Sequence, residues 1–410
     1  MKKIIFRKYK SIGLEEVRSA KEVLKSGNLS GFVADNSKDF FGGKYVNKFE
    51  RNLEKFYRVK HAIVVNSWTS GLICMVGSLD IEPGDEIIVT PWTMAATVAS
   101  ILHWNCIPVF VDINEEDFCI DVNKIKNKIS KRTKAIFAVD IFGRQSNVSS
   151  LKKITKGKNI KILLDTAQSP YCLKNQTIAG TKGDIGGYSL NYHKIINTGE
   201  GGVIVTNNHK LAHRMRLLRN HAEITNPYTR TKDLSNMIGF NFRMGEIEAA
   251  IGIQQYKKLK KILKKREILL NKLTKKLNNL NGLKLPPISK KYSNNFYVYP
   301  LKIDLNIIKL KRKKIVSALR NKGIEGLTEG YANLHLLKLF RKKVAFGKKK
   351  FPWSMNKKNF FYNKGMCPIA EHMQDKSFFM IEVCMFELNN KLIQFIAKSF
   401  KEVWKELKLD

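Results

Sequence analysis

The run Ala62-Ile63-Val64-Val65-Asn66-Ser67-Trp68-Thr69-Ser70-Gly71 sets the pattern for most of this chain. Four consecutive apolar, largely β-branched residues read as a strand covered on both faces. The hydroxyl- and amide-bearing residues after them read as the opening of a helix that continues from Thr69 to Leu79. The same alternation repeats downstream. Glu86 to Val89, Pro108 to Val111, Thr133 to Val139 and Ile160 to Leu164 are strand-like, and Thr93 to His103, Lys124 to Ile129 and Val148 to Ile154 between them are helical. Buried strands alternating with helices predict an α/β fold with a mostly parallel central sheet flanked by helices.

On the amino-terminal side of this unit, Leu14 to Ser26 reads as an amphipathic helix stopped by Gly27. Asn28 to Gly43 is irregular, and Lys44 to Tyr57 carries apolar residues at helical spacing. On the other side, a long helical region from Gly245 to Leu277 leads the chain out of the sheet, and Gly282 to Pro287 reads as a linker. The remainder is mixed. Phe296 to Ile303 is strand-like, while Leu310 to Asn321 and Lys391 to Leu407 are helical; Gly330 to Ala370 is loop-rich and therefore a place to expect ligand contacts. Two domains are expected: a large α/β unit over residues 1–255 and a smaller α+β unit over residues 256–410.

Composition narrows the function classes. The 410 residues carry 74 Lys plus Arg against 35 Asp plus Glu, a formal charge of +39. Such a balance raises nucleic-acid or anionic-membrane binding. The densest runs, however, such as Lys257-Lys258-Leu259-Lys260-Lys261 and Lys264-Lys265-Arg266, place cations between apolar residues at helical intervals, as the solvated face of an amphipathic helix does. No zinc-finger, helix-turn-helix or aromatic-basic pattern accompanies them, so no nucleic-acid partner is expected. The six cysteines are scattered with no C-x-x-C pair, which suggests neither a metal site nor a disulfide framework. No run approaches the roughly 20 apolar residues of a membrane span, and the amino end is too briefly apolar for a signal peptide, so a cytoplasmic protein is expected.

In an open parallel sheet, ligands sit beyond the carboxyl ends of the strands. Three strand exits carry reactive groups. Asn66-Ser67-Trp68-Thr69 places hydroxyl and amide donors at a helix amino end, which is either an anion site suited to phosphate or ordinary N-capping. Asp165-Thr166-Ala167-Gln168 places a carboxylate at the exit of a buried strand, where a protonated pyridine nitrogen would partner it or where it would cap a helix. Lys194 lies on a turn between Tyr188 to Tyr192 and Val203 to Thr206, amid Thr198-Gly199-Glu200-Gly201-Gly202. A desolvated turn lysine has a lowered pKa and a neutral nitrogen able to attack a carbonyl. Together the three are the parts of a pyridoxal-phosphate site.

With these motifs in their order and spacing, the sequence resembles the DegT/DnrJ/EryC1/StrS sugar aminotransferases, pyridoxal 5′-phosphate enzymes of the aspartate-aminotransferase fold type I. Gly84-Asp85-Glu86-Ile87-Ile88-Val89, Pro108-Val109-Phe110-Val111-Asp112, Gly239-Phe240-Asn241-Phe242-Arg243-Met244 and Cys367-Pro368-Ile369-Ala370-Glu371 extend the likeness over nearly the whole chain. The resemblance implies that Lys194 bonds the cofactor and moves the proton, and that Asp165 pairs with the pyridinium nitrogen. Gln168 would lie by the ring or its phenolic oxygen, Ser67, Thr69 and Ser189 would hold the phosphate, and Asn241 would reach it from the other subunit of a homodimer.

Two departures stand out. Trp68 occupies the place of a glycine in the family's usual Ser-Gly-Thr, keeping the amide but adding an indole. Met94 stands where the family has a ring-stacking aromatic, leaving either Met94 or Trp92 to stack on the cofactor. Substrate contacts are implied for Leu29, Ser30, His221 and His335, with the segment Phe32 to Phe41 reshaping the pocket. The expected reaction is transfer of an amino group from glutamate or glutamine to a nucleotide-linked keto-sugar for amino-sugar or surface-polysaccharide synthesis. A dehydratase or lyase on the same fold is the alternative within the family, and retention of Lys194 beside His193 argues for transamination. A non-catalytic or nucleic-acid-binding relative is the alternative outside it.

Overall fold

The computed structural model describes residues 5–34, 37–222, 236–289 and 293–409. Residues 35 and 36, within the segment expected to reshape the pocket, lie outside the described residues. Helices α1 (Leu14–Ser26) and α2 (Lys44–Tyr57) precede the sheet. The alternation then follows as β1 (His61–Val65), α3 (Trp68–Gly77), β2 (Glu86–Val89), α4 (Ala95–His103), β3 (Ile107–Phe110), β4 (Thr133–Val139), α5 (Val148–Thr155) and β5 (Lys161–Asp165). A small hairpin, β6 (Leu173–Lys174) and β7 (Thr177–Ile178), leads to β8 (Ile185–Ser189), β9 (Gly202–Thr206) and α6 (His209–Arg219). The 32-residue α7 (Glu246–Leu277) follows.

Strand order in the seven-stranded sheet is β1-β9-β8-β5-β4-β2-β3. Only β9 runs against its neighbours, β1 and β8; every other pairing is parallel. The expected mostly parallel α/β sheet is thus borne out. Its strands are buried almost throughout, because each Val- and Ile-rich run meets helices on both faces.

Past α7 come β10 (Leu283–Lys284), β11 (Tyr299–Ile303), α8 (Arg312–Asn321), β12 (Leu327–Glu329), the short helices α9 (Lys338–Arg341) and α10 (Pro368–His372), β13 (Phe378–Ile381) and α11 (Asn390–Glu406). The four strands form an antiparallel sheet in the order β10-β11-β13-β12. Helix α7 belongs to two apolar cores. Its first half packs Ile253, Tyr256 and Leu259 with α2 and β9, and its second half packs Leu270, Leu273 and Leu277 with β11, β13 and α11. Position 255/256 lies inside this helix. Its lysines 257, 260, 261, 264 and 265 face solvent, as the helical spacing of the charge predicts.

Three elements differ from the sequence reading, the first being Gly282 to Pro287, which is no plain linker because Leu283 packs into the small-sheet core and pairs as β10 with β11. Lys124 to Ile129 forms a pair of 3-10 turns, Val122–Lys124 and Lys126–Lys128, because Asp121 caps the first and few apolar residues are present to extend a helix. Helix α6 shows no clean apolar stripe in sequence, since its buried face includes Arg214 and Arg219. Among the described residues, no helix is long and apolar enough to cross a membrane.

Candidate active site

A cavity of about 380 Å³ opens at the carboxyl edge of the large sheet and is closed on its far side by residues of the small one. The loop after β2 contributes Thr93 and Met94, the ends of β4 and β5 contribute Val139, Asp140, Asp165 and Gln168, and the turn after β8 contributes Tyr192, His193 and Lys194. Tyr297, Tyr331, Met380, Glu382 and Cys384 form the opposite wall.

The lysine turn is shaped by its own backbone. Lys194 N–H donates to Asn191 O at 2.9 Å, and Thr198 N–H donates to Leu190 O at 3.0 Å. Gly199 takes the left-handed conformation at φ 86°, which lets the chain reverse into β9 without a side-chain penalty. Lys194 Nζ donates to the Tyr297 hydroxyl at 3.4 Å and lies 4.7 Å from the centre of that ring. It forms no ion pair among the described residues. Burial lowers its pKa below the ordinary lysine value, with the charge of Asp165 opposing the shift. Burial and then the charge of Lys194 push the neighbouring His193 down to about 4.

Asp165, the last residue of β5, is 4% exposed and accepts three hydrogen bonds. Its Oδ1 receives Trp68 Nε1–H at 2.9 Å and Ala167 N–H at 3.1 Å, and its Oδ2 receives the Thr97 hydroxyl at 2.7 Å. A carboxylate has about four acceptor positions, so capacity remains for one more donor from the cavity. Next to it, Asp140 follows β4 and is fully buried. Its Oδ1 accepts Ser146 N–H at 2.7 Å, whereas its Oδ2 is buried without a partner among the described residues. Burial pushes the Asp140 carboxyl up to about 7.

The remaining predicted residues divide. Gln168 lines the cavity, accepting Phe142 N–H at 2.9 Å and donating to the Tyr331 hydroxyl at 3.2 Å. Met94 lines it as well, whereas Trp92 is fully buried beneath Phe118, Phe142 and Phe378 and is not presented to it. Ser67 caps α3, accepting Ser70 N–H at 3.1 Å; Thr69 is exposed on the first turn, and Ser189 is buried at the end of β8, where its hydroxyl accepts Asn191 N–H at 3.3 Å. Asn241 is exposed, and its carbonyl accepts the Asn66 side chain at 3.4 Å. Leu29 and Ser30 are exposed near the start of α7, where Leu29 O accepts Glu246 N–H at 3.0 Å, and His221 is exposed at φ 62°.

His335 is not brought to the cavity. Its ring is fully buried against Phe110, with Nε2 2.9 Å from Glu371 Oε1, and this pair ties the 331–335 loop to α10. Sequence reasoning passed over Thr97, Asp140, Tyr297, Glu382 and Cys384. Asp140 carried a usable signal, since it too stands at a strand exit.

A seven-stranded α/β sheet with a desolvated lysine and a buried aspartate facing one cavity at its carboxyl edge defines a pyridoxal-phosphate-dependent transferase of fold type I. The chain belongs to the DegT/DnrJ/EryC1/StrS aminotransferase family, whose pattern matches residues 32–381. It is 28% identical to the spore coat polysaccharide biosynthesis protein SpsC of Bacillus subtilis over 371 residues, 89% of this chain and 92% of that one. It is 34% identical to the UDP-4-amino-4,6-dideoxy-N-acetyl-beta-L-altrosamine transaminase of Helicobacter pylori over 303 residues, 70% and 76% of the two chains. Among solved structures, Helicobacter pylori PseC, an aminotransferase involved in the biosynthesis of pseudoaminic acid, superposes with a TM-score of 0.80 at 25% identity, covering 99% of this chain and 100% of that one. The expected pyridoxal-phosphate-dependent aminotransferase is borne out by this membership.

Proposed function

We propose that the protein transfers an amino group from glutamate or glutamine to a nucleotide-linked keto-sugar, in the synthesis of an amino-sugar for a surface polysaccharide. The observation that carries this reading is the placement of Lys194 and Asp165 on one cavity, with no carboxylate paired to the lysine among the described residues. The residues present fit pyridoxal phosphate: Asp165 keeps an acceptor position for a ring N–H, and the capped amino end of α3 offers amides to a phosphate. When bound, the cofactor supplies an electron sink for the carbon that loses its proton.

In this arrangement Lys194, whose amine burial makes easier to deprotonate, would hold the cofactor at its aldehyde and, once the amine donor has displaced it, would carry the proton leaving the donor's α-carbon. It later returns a proton to the sugar carbon that receives nitrogen. Asp165 would receive the ring nitrogen's N–H at its open acceptor position. Ser67, Thr69 and Ser189 would hold the phosphate, Met94 would pack against the ring, and Trp68 would offer its backbone amide. Asn241 reaches across from the second subunit of a homodimer, with Leu29, Ser30 and His221 near the sugar. Residues 1–255 and 256–410 act as two lobes around the cavity, and the enzyme works in the cytoplasm. The names of SpsC and of the Helicobacter transaminase support the sugar substrate.

Borohydride treatment of the chain loaded with pyridoxal phosphate is the direct test. A pyridoxyl group on the peptide containing Lys194 is the expected product, and its absence from that peptide overturns the reading. Incubation of nucleotide amino-sugars with 2-oxoglutarate should then yield glutamate; loss of a hydroxyl without transfer of nitrogen would mark a dehydratase instead.

A further inference from the structure

The large side chain at position 68 does not crowd the mouth of α3. It turns inward, 7% exposed, into a slot between α3, β8 and β9 that glycines keep open. A β-carbon at Gly71 would come within 2.8 Å of the indole, and one at Gly187 would collide with its far edge. The same Gly187 belongs to the strand that leads to Lys194. The slot delivers Nε1–H to Asp165 Oδ1 at 2.9 Å, while the Thr97 hydroxyl holds Oδ2 at 2.7 Å. The two donors come from the first turns of different helices, α3 and α4, so the carboxylate is gripped from two sides and its rotation about χ2 is blocked.

We propose that Trp68, with Thr97 on the opposite oxygen, is a positioning residue that fixes the plane of the Asp165 carboxylate and leaves its free acceptor position facing the cofactor's ring nitrogen. This inference rests on the proposed pyridoxal-phosphate reading and adds to it a role for the side chain that interrupts the phosphate-binding turn. A hydrogen bond to a charged acceptor is stronger than a neutral one, and its loss here frees the carboxylate to turn away from the ring. The contribution of Trp68 therefore passes through Asp165 and vanishes when Asp165 no longer carries charge.

A double-variant cycle on the full chain tests this, with the dissociation constant of pyridoxal phosphate as the readout. Trp68→Phe keeps most of the ring and removes the N–H; it should weaken cofactor binding about 10- to 100-fold. In an Asp165→Asn background the same substitution should change binding less than about 2-fold, because the charged hydrogen bond is already gone. An unchanged dissociation constant in Trp68→Phe, or an equal loss in both backgrounds, overturns the proposal and leaves Trp68 a packing residue. If Trp68→Phe does not fold, Thr97→Val is carried through the same cycle with the same two outcomes. Failure of the native chain to bind the cofactor on Lys194 overturns the functional reading and this one together, whereas native binding with an uncoupled Trp68 overturns this one alone.

Discussion

The ends of β5 and β4 present two carboxyls to one cavity, and the two are held in opposite ways. Asp165 is surrounded by donors: an indole, a hydroxyl and an amide all point at it. Asp140, one strand over and also buried, is met by Ser146 alone, and its Oδ2 has no donor among the described residues. Depth below the surface is therefore not what separates them. A buried carboxyl with an unsatisfied oxygen favours its protonated form, and burial drives the Asp140 carboxyl up to about 7. One strand end thus offers the cavity an acceptor, and the next holds a buried carboxyl that carries a proton below neutral pH.

The most severe way to break this comparison is to remove the charge from the satisfied member. Asp165→Asn keeps the shape and most of the hydrogen bonds, so the cofactor should still attach to Lys194. Turnover should fall by about 10²- to 10³-fold, the scale on which a single charge-stabilising group acts in an enclosed site. Steady-state kinetics on protein whose cofactor content is measured by absorbance decides it; full activity would mean that Asp165 merely caps the loop that follows β5.

Removing the charge from the unsatisfied member should have the reverse character, with little effect on turnover and a marked effect on stability. The Asp140 carboxyl titrates near 3.8 in the unfolded chain and near 7 in the fold. Between those values the native state holds the extra proton, so this residue costs stability as pH rises through the window, and the full cost is present above it. Asp140→Asn carries no such charge. Its stability gain over the native chain should be larger at pH 8 than at pH 5 by about 2–3 kcal/mol, read from urea midpoints of the cofactor-free protein. A gain that does not depend on pH would show that Asp140 is already charged in the fold, and the contrast with Asp165 would fail.

Much of this was legible in the sequence, and the reasons for the rest are physical. The strands were readable because each is a continuous apolar run, and Asp165 and Lys194 were readable because chemistry collects at strand exits. The same rule reaches Asp140, which follows Thr133–Val139 and is itself followed by a short 3-10 turn rather than a regular helix. Trp68 was legible as an oddity but not as a donor, because the direction of an indole depends on the glycines of β8 and on α3, far apart in the chain. Tyr297 and Glu382 come from around β11 and β13, whose approach to the large sheet no local pattern encodes. His335 misled because a loop histidine looks available; its partner Glu371, lying 36 residues away, turns it inward.

The mildest test concerns the wall opposite the two strand ends. Tyr297 offers Lys194 a long hydrogen bond at 3.4 Å and a ring face at 4.7 Å, in place of the carboxylate that a buried lysine would ordinarily take. Tyr297→Phe removes only the hydroxyl and keeps the ring, so the loss is that of one weak neutral-acceptor hydrogen bond, about 0.5–1 kcal/mol, and turnover should fall about 2- to 5-fold. Tyr297→Leu removes the ring as well. Since a π face favours the charged amine, its loss should lower the pKa of Lys194 further in the cofactor-free chain. The acid limb of the rate at which Lys194 captures an added aldehyde should therefore move to lower pH in Tyr297→Leu and stay in place in Tyr297→Phe. A larger shift in the Phe variant would mean that the hydroxyl, rather than the ring, sets the state of the amine, and that the far wall shares the control assigned here to burial.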